Sequence, residues 1–432
     1  MELSTESPIR PALRGETIRP GDVHEVSTAV RLAADGGLDV AVRGGGHSFA
    51  GLSTTGTGVV IDLSRLDQVR VVDEEHHLVR VGGGATWGQV GDVLGPKGLA
   101  ISSGDTRSVG VGGLTLSGGI GWKVRKHGLA LDCLRAAQVV TADGAVLRAS
   151  SEENPELFWA IRGGGGNVGV VTEFEFAAHP TTDVFFGKIT FPAEQARAVL
   201  DGWTRYLRRA PAELSSIANL ANPMTGGASA PVELHVCWDG DDEGEADQGL
   251  APLRTLGTVL EDDVAKRPWA DVLEEGGPMP DGFRVAVRSA FVAPTRTPAV
   301  LDELVEIAES GAAPFISIRA LGGAVEQVPD DATAYAHRSA ELLILTLAAG
   351  PAAYVEEGRS ARAELWRGLE PHLSGAYANF LDSATQEDVR AVYPPSHYAR
   401  LASAKRRYDP ANLFAGNHNV PPDGDHGERL SA

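Results

Sequence analysis

Hydrophobic positions in the first 180 residues come in short runs separated by glycine and polar turns. Val23, Val26, Val30 and Ala34 fall at close to helical spacing and predict a helix over Val23–Ala34. Leu38–Val42, Gly58–Leu63, Val69–Val72 and Leu78–Val81 are β-type runs. Trp87–Leu94 reads as a helix that stops near Gly95-Pro96. Ala137–Thr141 and Val146–Ala149 flank Asp143-Gly144, a hairpin signal. Pro155–Ile161 reads as a short helix, and Val168–Phe176 as a strand. Strands, hairpins and glycine turns in this order predict an α+β domain.

The pattern changes near Pro180, where glycine thins out and segments lengthen. Helices are expected over Ala193–Ala210, Leu250–Leu256, Pro298–Glu309 and Val355–Leu369. Thr297 is expected to cap the third of these, with Pro298 in its first turn. Strands are expected over Val232–Cys237, Val285–Val292 and Ala312–Leu321, giving a second domain in which helices cover a sheet. Asp239–Asp247 reads as a solvated acidic loop. Tyr398–Arg407 reads as a basic helix, Tyr408–Phe414 as a turn, and the chain after Pro422 as a frayed tail. There is no internal repeat.

The chain has 432 residues with 43% hydrophobic, enough to bury a sizeable core. Its 38 Lys and Arg against 58 Asp and Glu give a net charge of −20, which argues against nucleic acid and anionic membranes as partners. Cys133 and Cys237 are too few for a disulfide framework, have no metal-ligand spacing, and are expected as small buried hydrophobes. The segment Met1–Ile18 lacks the apolar core of a signal peptide, and no apolar run is long enough to span a bilayer, so a cytoplasmic location is the default expectation.

Arg43-Gly44-Gly45-Gly46-His47-Ser48 and the tract Ser108–Trp122 carry the chemistry. Dense glycine lets backbone approach a ligand and present N–H groups to an anion. A lone glycine run is usually a turn. Four runs, at 44–46, 82–84, 112–121 and 163–166, suggest a long cradle for a phosphate-bearing cofactor. His47 would then place an imidazole within reach of it. A Rossmann site is rejected because the glycine spacing and the long following helix are wrong, and a P-loop because no Gly-Lys-Ser/Thr ending exists. His76-His77 after Asp73-Glu74-Glu75 reads as a solvated turn rather than a metal site.

The stretch Val42–Phe176 resembles the flavin-binding domain of the berberine bridge enzyme-like oxidoreductases, which have the vanillyl-alcohol oxidase (PCMH-type) fold. The resemblance rests on Arg43–Ser48, Gly110–Trp122, Arg125–Cys133, Val140–Gly144 and Asn154–Phe176. Lys405–Phe414 with Asn417–Pro422 matches the family's closing motif, whereas residues from about 181 to 370 match weakly. The implied architecture is a PCMH-type FAD-binding domain at 1–180 and an α/β substrate domain with an antiparallel sheet at 181–390. A C-terminal segment at 391–424 would return to the first domain. Arg14–Glu16 and Arg19–Asp22 run almost directly into the first helix, so an edge element that relatives carry is expected to be missing.

The resemblance implies FAD, attached through His47 to the flavin 8-methyl carbon. Many relatives add a cysteine link from a G-x-C-x-x-V-G motif; here Gly104–Gly110 has Thr106 in the cysteine's place, so a single covalent bond is expected. Val109 matches the oxygen-gate position, where valine follows the oxidase pattern. The remaining cofactor-binding residues implied are Arg43, Gly44, Gly45, Gly46, Ser48, Asp105, Gly110, Gly113, Gly119, Gly121 and Trp122. To these are added Gly169, Val170 and Val171 toward the adenine and Asn417 and Asn419 from the C-terminus.

Tyr393 matches a tyrosine that relatives place near the flavin and is the first choice for a catalytic base; a packing role is the alternative. Glu326 is the second choice, with an exposed strand-end carboxylate as its alternative, and Arg319, Tyr335 and His337 are weaker. The reaction expected is hydride transfer from a small organic substrate to flavin N5, then reduction of O2 to H2O2. A dehydrogenase with another acceptor, a flavoprotein without net redox (a cyclase, an isomerase or a scaffold that keeps flavin for structure), and a non-flavin sugar-binding protein remain open alternatives. No metal is expected.

Overall fold

The structure, a computed structural model, describes residues 15–220, 231–275, 280, 282–310 and 315–422. Helix Val23–Gly36 starts where Asp22 accepts the His24 and Glu25 N–H groups, and stops at Gly37 in the left-handed conformation. Its apolar face, with Val26, Ala29, Val30 and Ala33, packs on a parallel sheet ordered Thr17–Ile18, Val59–Asp62, Val40–Arg43. Thr17–Ile18 is thus an edge strand, supplied by the segment expected to lack one. A second sheet is antiparallel, ordered Val69–Asp73, Leu78–Gly82, Val170–Ala177, Leu134–Val140, Val146–Ser150. Between it and helix Trp87–Leu94 lies a core containing Val79, Val81, Trp87, Phe174 and Phe176.

An eight-stranded sheet forms the other half. Its main path runs Glu261–Asp262, Val184–Phe191, Val232–Trp238, Leu214–Leu220, Phe315–Ala320, Leu342–Pro351, Phe283–Val292, with every pairing antiparallel. Alternation along these strands sorts the side chains. Ile189, Leu234, Ala218, Ile318 and Ile344 face helices Ala196–Leu207, Glu243–Arg254, Thr297–Ser310 and Arg359–Leu369. Ile217, Asn219, His235, Ser317, Arg319 and Leu345 face the glycine-rich half. Finally, helix Pro395–Tyr408 packs on helix Pro155–Ile161, and Phe414 re-enters the core under the parallel sheet.

Several local expectations change. Asp239–Asp247 is not a solvated loop: Asp239 is buried on Lys123, and Asp242 caps helix Glu243–Arg254 through the Glu245 N–H. Burial raises the Asp239 carboxyl pKa, but His127, Lys123 and Lys126 outweigh it and hold it far below the ordinary range. Thr297 is inside its helix, with its hydroxyl turned to Ala293 O and Glu341, so it is not the cap. Val355–Leu369 divides at Gly358 into Ala352–Glu357 and Arg359–Leu369, and the helix expected over Ala193–Ala210 spans Ala196–Leu207 after a 3-10 turn. The start of the strand expected at Ala312, and the chain after Pro422, lie outside the described residues. Both cysteines are buried, and burial pushes their thiols up to about 12. Among the described residues no helix is long and apolar enough to cross a membrane.

Candidate active site

The glycine turns meet the inner face of the eight-stranded sheet around a cavity of about 560 Å³. The Gly44–Ser48 loop leaves strand Val40–Arg43, and Gly46 takes φ +75 to turn it, a conformation costly for other residues. Ser48 Oγ accepts the Leu52 N–H and steadies the turn. Gly45 and Gly110 touch backbone to backbone: a Cβ on either would sit 2.3 Å from the other's nitrogen. Only glycine in both segments allows this contact. A Cβ on Gly113, by contrast, would meet nothing within 4 Å.

This cavity fits a dinucleotide cofactor on three grounds. Its volume lies within the usual range for small-molecule sites, roughly 300–1,000 Å³. Its floor is backbone bared by Gly44–Gly46, Gly110, Gly112, Gly165 and Gly166. Its wall also carries Asn417, whose buried Oδ1 has no partner among the described residues. Asn417 is placed by buried chemistry: Lys405 and Asp409, both fully buried, pair at 2.8 Å. Asp409 accepts the Leu413 and Phe414 N–H groups, while Lys405 Nζ and Asn417 Nδ2 donate to Phe414 O.

The FAD binding domain model matches residues 16–150, and the berberine and berberine-like model matches 376–421. (R)-6-hydroxynicotine oxidase of Paenarthrobacter nicotinovorans is 32% identical, with 96% of this chain and 92% of that one covered. The chain belongs to the berberine bridge enzyme-like FAD-linked oxidoreductases. Xylooligosaccharide oxidase of Thermothelomyces thermophilus is 30% identical over 94% of this chain and 86% of its own. Among solved structures, 6-hydroxy-D-nicotine oxidase of Arthrobacter nicotinovorans has a TM-score of 0.81 at 28% identity, covering 97% of both chains. The chain is therefore an FAD-linked oxidoreductase, and the relatives named here are oxidases.

Of the residues expected at the site, Gly44, Gly45, Gly46, His47, Ser48, Asp105, Thr106, Val109, Gly110, Gly113 and Trp122 line the cavity. So do Gly169, Val170, Val171, Tyr393 and Asn417. Five do not. Arg43 is held at the base of the His47 loop by Asp62, 3.7 Å away, and by Ser53 O. Gly119 and Gly121 are packing glycines, where a Cβ would meet Ala130 Cβ at 2.3 Å and Ser103 O at 2.2 Å. Asn419 lies just past the wall, its buried Oδ1 without a partner among the described residues. Glu326 is exposed beside Arg125, because the chain has already left the sheet at Ala320.

Two residues not singled out before, Tyr377 and Asn379, occupy the wall. Tyr377 Oη accepts the Gly119 N–H at 2.9 Å and Asn379 Nδ2 at 3.0 Å. Burial raises its pKa, while these two donors and the Arg319 charge pull against that rise. Tyr393 is also pushed up by burial, with only Asn167 opposing. Arg319 donates to Asp105 at 2.8 Å, tying the eight-stranded sheet to the loop before Thr106. Burial raises the Asp105 carboxyl, but the Arg319 charge and hydrogen bond outweigh it and leave its pKa low. Glu274 lies against this loop, its N–H on Asp105 O and its carbonyl on the Arg107 N–H. Its carboxyl pKa is raised by burial and by the Asp105 charge. The period-two spacing of Ile217 with Asn219, and of Ser317 with Arg319, was the available signal for this wall. Tyr377-Ala378-Asn379 sits in an irregular segment with no period to betray it.

Proposed function

We propose that the chain is a monocovalent flavoprotein oxidase of a compact, largely apolar alcohol or amine, with Tyr377 as the base. The reading is carried by Tyr377 Oη: two donors converge on it at the wall of the cavity that His47 also lines. FAD, when bound, supplies the acceptor for two electrons and passes them to O2. Tyr377 takes the O–H or N–H proton next to the C–H that is oxidised only after its own phenol proton has passed to solvent, and Gly119 N–H and Asn379 donate to the oxyanion this requires, against the burial that favours the neutral phenol. Tyr393 lines the same cavity but has only the Asn167 hydrogen bond to oppose its burial. His47 lies at the glycine turn as the attachment nucleophile. Thr106 donates its hydroxyl to Asp105 and offers no thiolate, which supports a single link. Val109 is the small apolar wall residue of an oxidase.

The relatives named above act on hydroxynicotine and on xylooligosaccharides. Ile217, Val287, Leu345, Leu347 and Leu381 face this chamber and favour an apolar body over a sugar chain. The test is an absorption spectrum before and after acid precipitation, with O2 uptake on a panel of amines, alcohols and oligosaccharides. Flavin that stays with the pellet, and leaves it in His47→Ala, supports the link. A white pellet under yellow supernatant from the wild type refutes the covalent link. Turnover confined to oligosaccharides refutes the substrate class.

A further inference from the structure

Arg319 and Asn219 stand on neighbouring strands of the sheet that closes the chamber, Arg319 opposite Ile217 and Asn219 opposite Ser317. They are therefore diagonal neighbours on one face, within reach of a common ligand, and both line the cavity. Arg319 uses Nη2 on Asp105 and lies 5.1 Å over the Phe380 ring. Its Nε and Nη1 are buried without a partner among the described residues, and so is Asn219 Oδ1. Buried donors and acceptors are almost always paired, and each left bare costs about 1–3 kcal/mol. Two bare groups of opposite sense, side by side in a chamber wall, are the outline of a ligand that both accepts and donates.

Charge narrows the ligand further. The Arg319 cation is matched by Asp105, so this corner has no net charge to spend on an anion. Glu274 stands next to the pair and resists added negative charge, as its raised pKa indicates. A cation would face the guanidinium at the same spot. We propose that Arg319 and Asn219 recognise an uncharged polar group of the substrate that accepts and donates side by side, such as a carboxamide, a lactam or an aromatic hydroxyl. This rests on reading the cavity as the substrate chamber.

The test titrates the holoenzyme with benzamide, benzoate, benzylamine and toluene, following the flavin difference spectrum. Benzamide is expected to bind at least ten-fold tighter than the other three. Asn219→Leu should weaken benzamide ten-fold or more and leave toluene unchanged. Arg319→Gln made together with Asp105→Asn, which removes the ion pair without baring a carboxylate, should do the same. Tightest binding by benzoate would mean an anion site, and by benzylamine a cation site at Asp105 and Glu274; either overturns the proposal. So does a benzamide affinity indifferent to Asn219→Leu. If none of the four probes, toluene included, perturbs the flavin, the chamber reading itself fails.

Discussion

Asp409→Ala tests how the C-terminal segment holds the cofactor wall. The substitution leaves Lys405 fully buried with no counter-charge and removes the acceptor of the Leu413 and Phe414 N–H groups. Breaking a buried pair from one side costs about 3–5 kcal/mol. The cost has a ceiling, because Lys405 can shed its proton: burial already lowers its pKa. From an ordinary lysine to neutral pH is about 3.4 units at about 1.4 kcal/mol each, close to 5 kcal/mol. With an unfolding entropy of about 2.1 cal/mol/K per residue, a chain of 432 residues loses about 1 °C of Tm per kcal/mol, so a fall of roughly 3–5 °C is expected. Phe414 and Asn417 leave the wall together, so flavin fluorescence should appear before circular dichroism reports unfolding. Lys405→Met added to Asp409→Asn should recover much of the loss, since no charge is then buried. A single variant melting within 2 °C of the wild type, or a double variant no better than the single, would refute the reasoning.

Tyr377→Phe is expected to lower kcat by about 10²–10⁴ with flavin content unchanged, and Tyr393→Phe by less than ten-fold; a larger loss at Tyr393 in steady-state O2 uptake would reverse the assignment. Gly110→Ala should yield protein without flavin, because its Cβ meets Gly45 N at 2.3 Å, whereas Gly113→Ala, whose Cβ meets only open space, should fold normally; flavin-to-protein absorbance ratios check both. Burial lowers the His337 and His179 pKa values to about 4. Unfolded histidines take up protons from about pH 6.5 downward, while these stay neutral until about pH 4, so stability should fall across that window by up to about 1.4 kcal/mol per pH unit for each. Urea midpoints at pH 7 and pH 5 measure this, and a His337→Gln variant as acid-sensitive as the wild type would remove that residue from the account.

Local chemistry was legible along the chain wherever a signal and its consequence lie within a few residues. The helix at Trp87–Leu94, the hairpin around Asp143-Gly144, and the glycine turns at 44–46 and 110–113 follow from periodicity, turn residues and the freedom of glycine. The family, the flavin and the His47 turn followed from the motifs that those turns carry. Other features depended on which distant segments meet. Glu326 ranks above Arg319 in one dimension, but strand register puts only Arg319 on the chamber face. Tyr377 became a candidate only when Gly119, 258 positions away, offered its N–H. Asp239 read as part of a solvated loop because its neighbours are acidic, until Lys123 was found buried against it. Periodicity and turn preference act over one or two turns of chain, whereas burial and charge pairing are set by neighbours that only the folded sheet brings together.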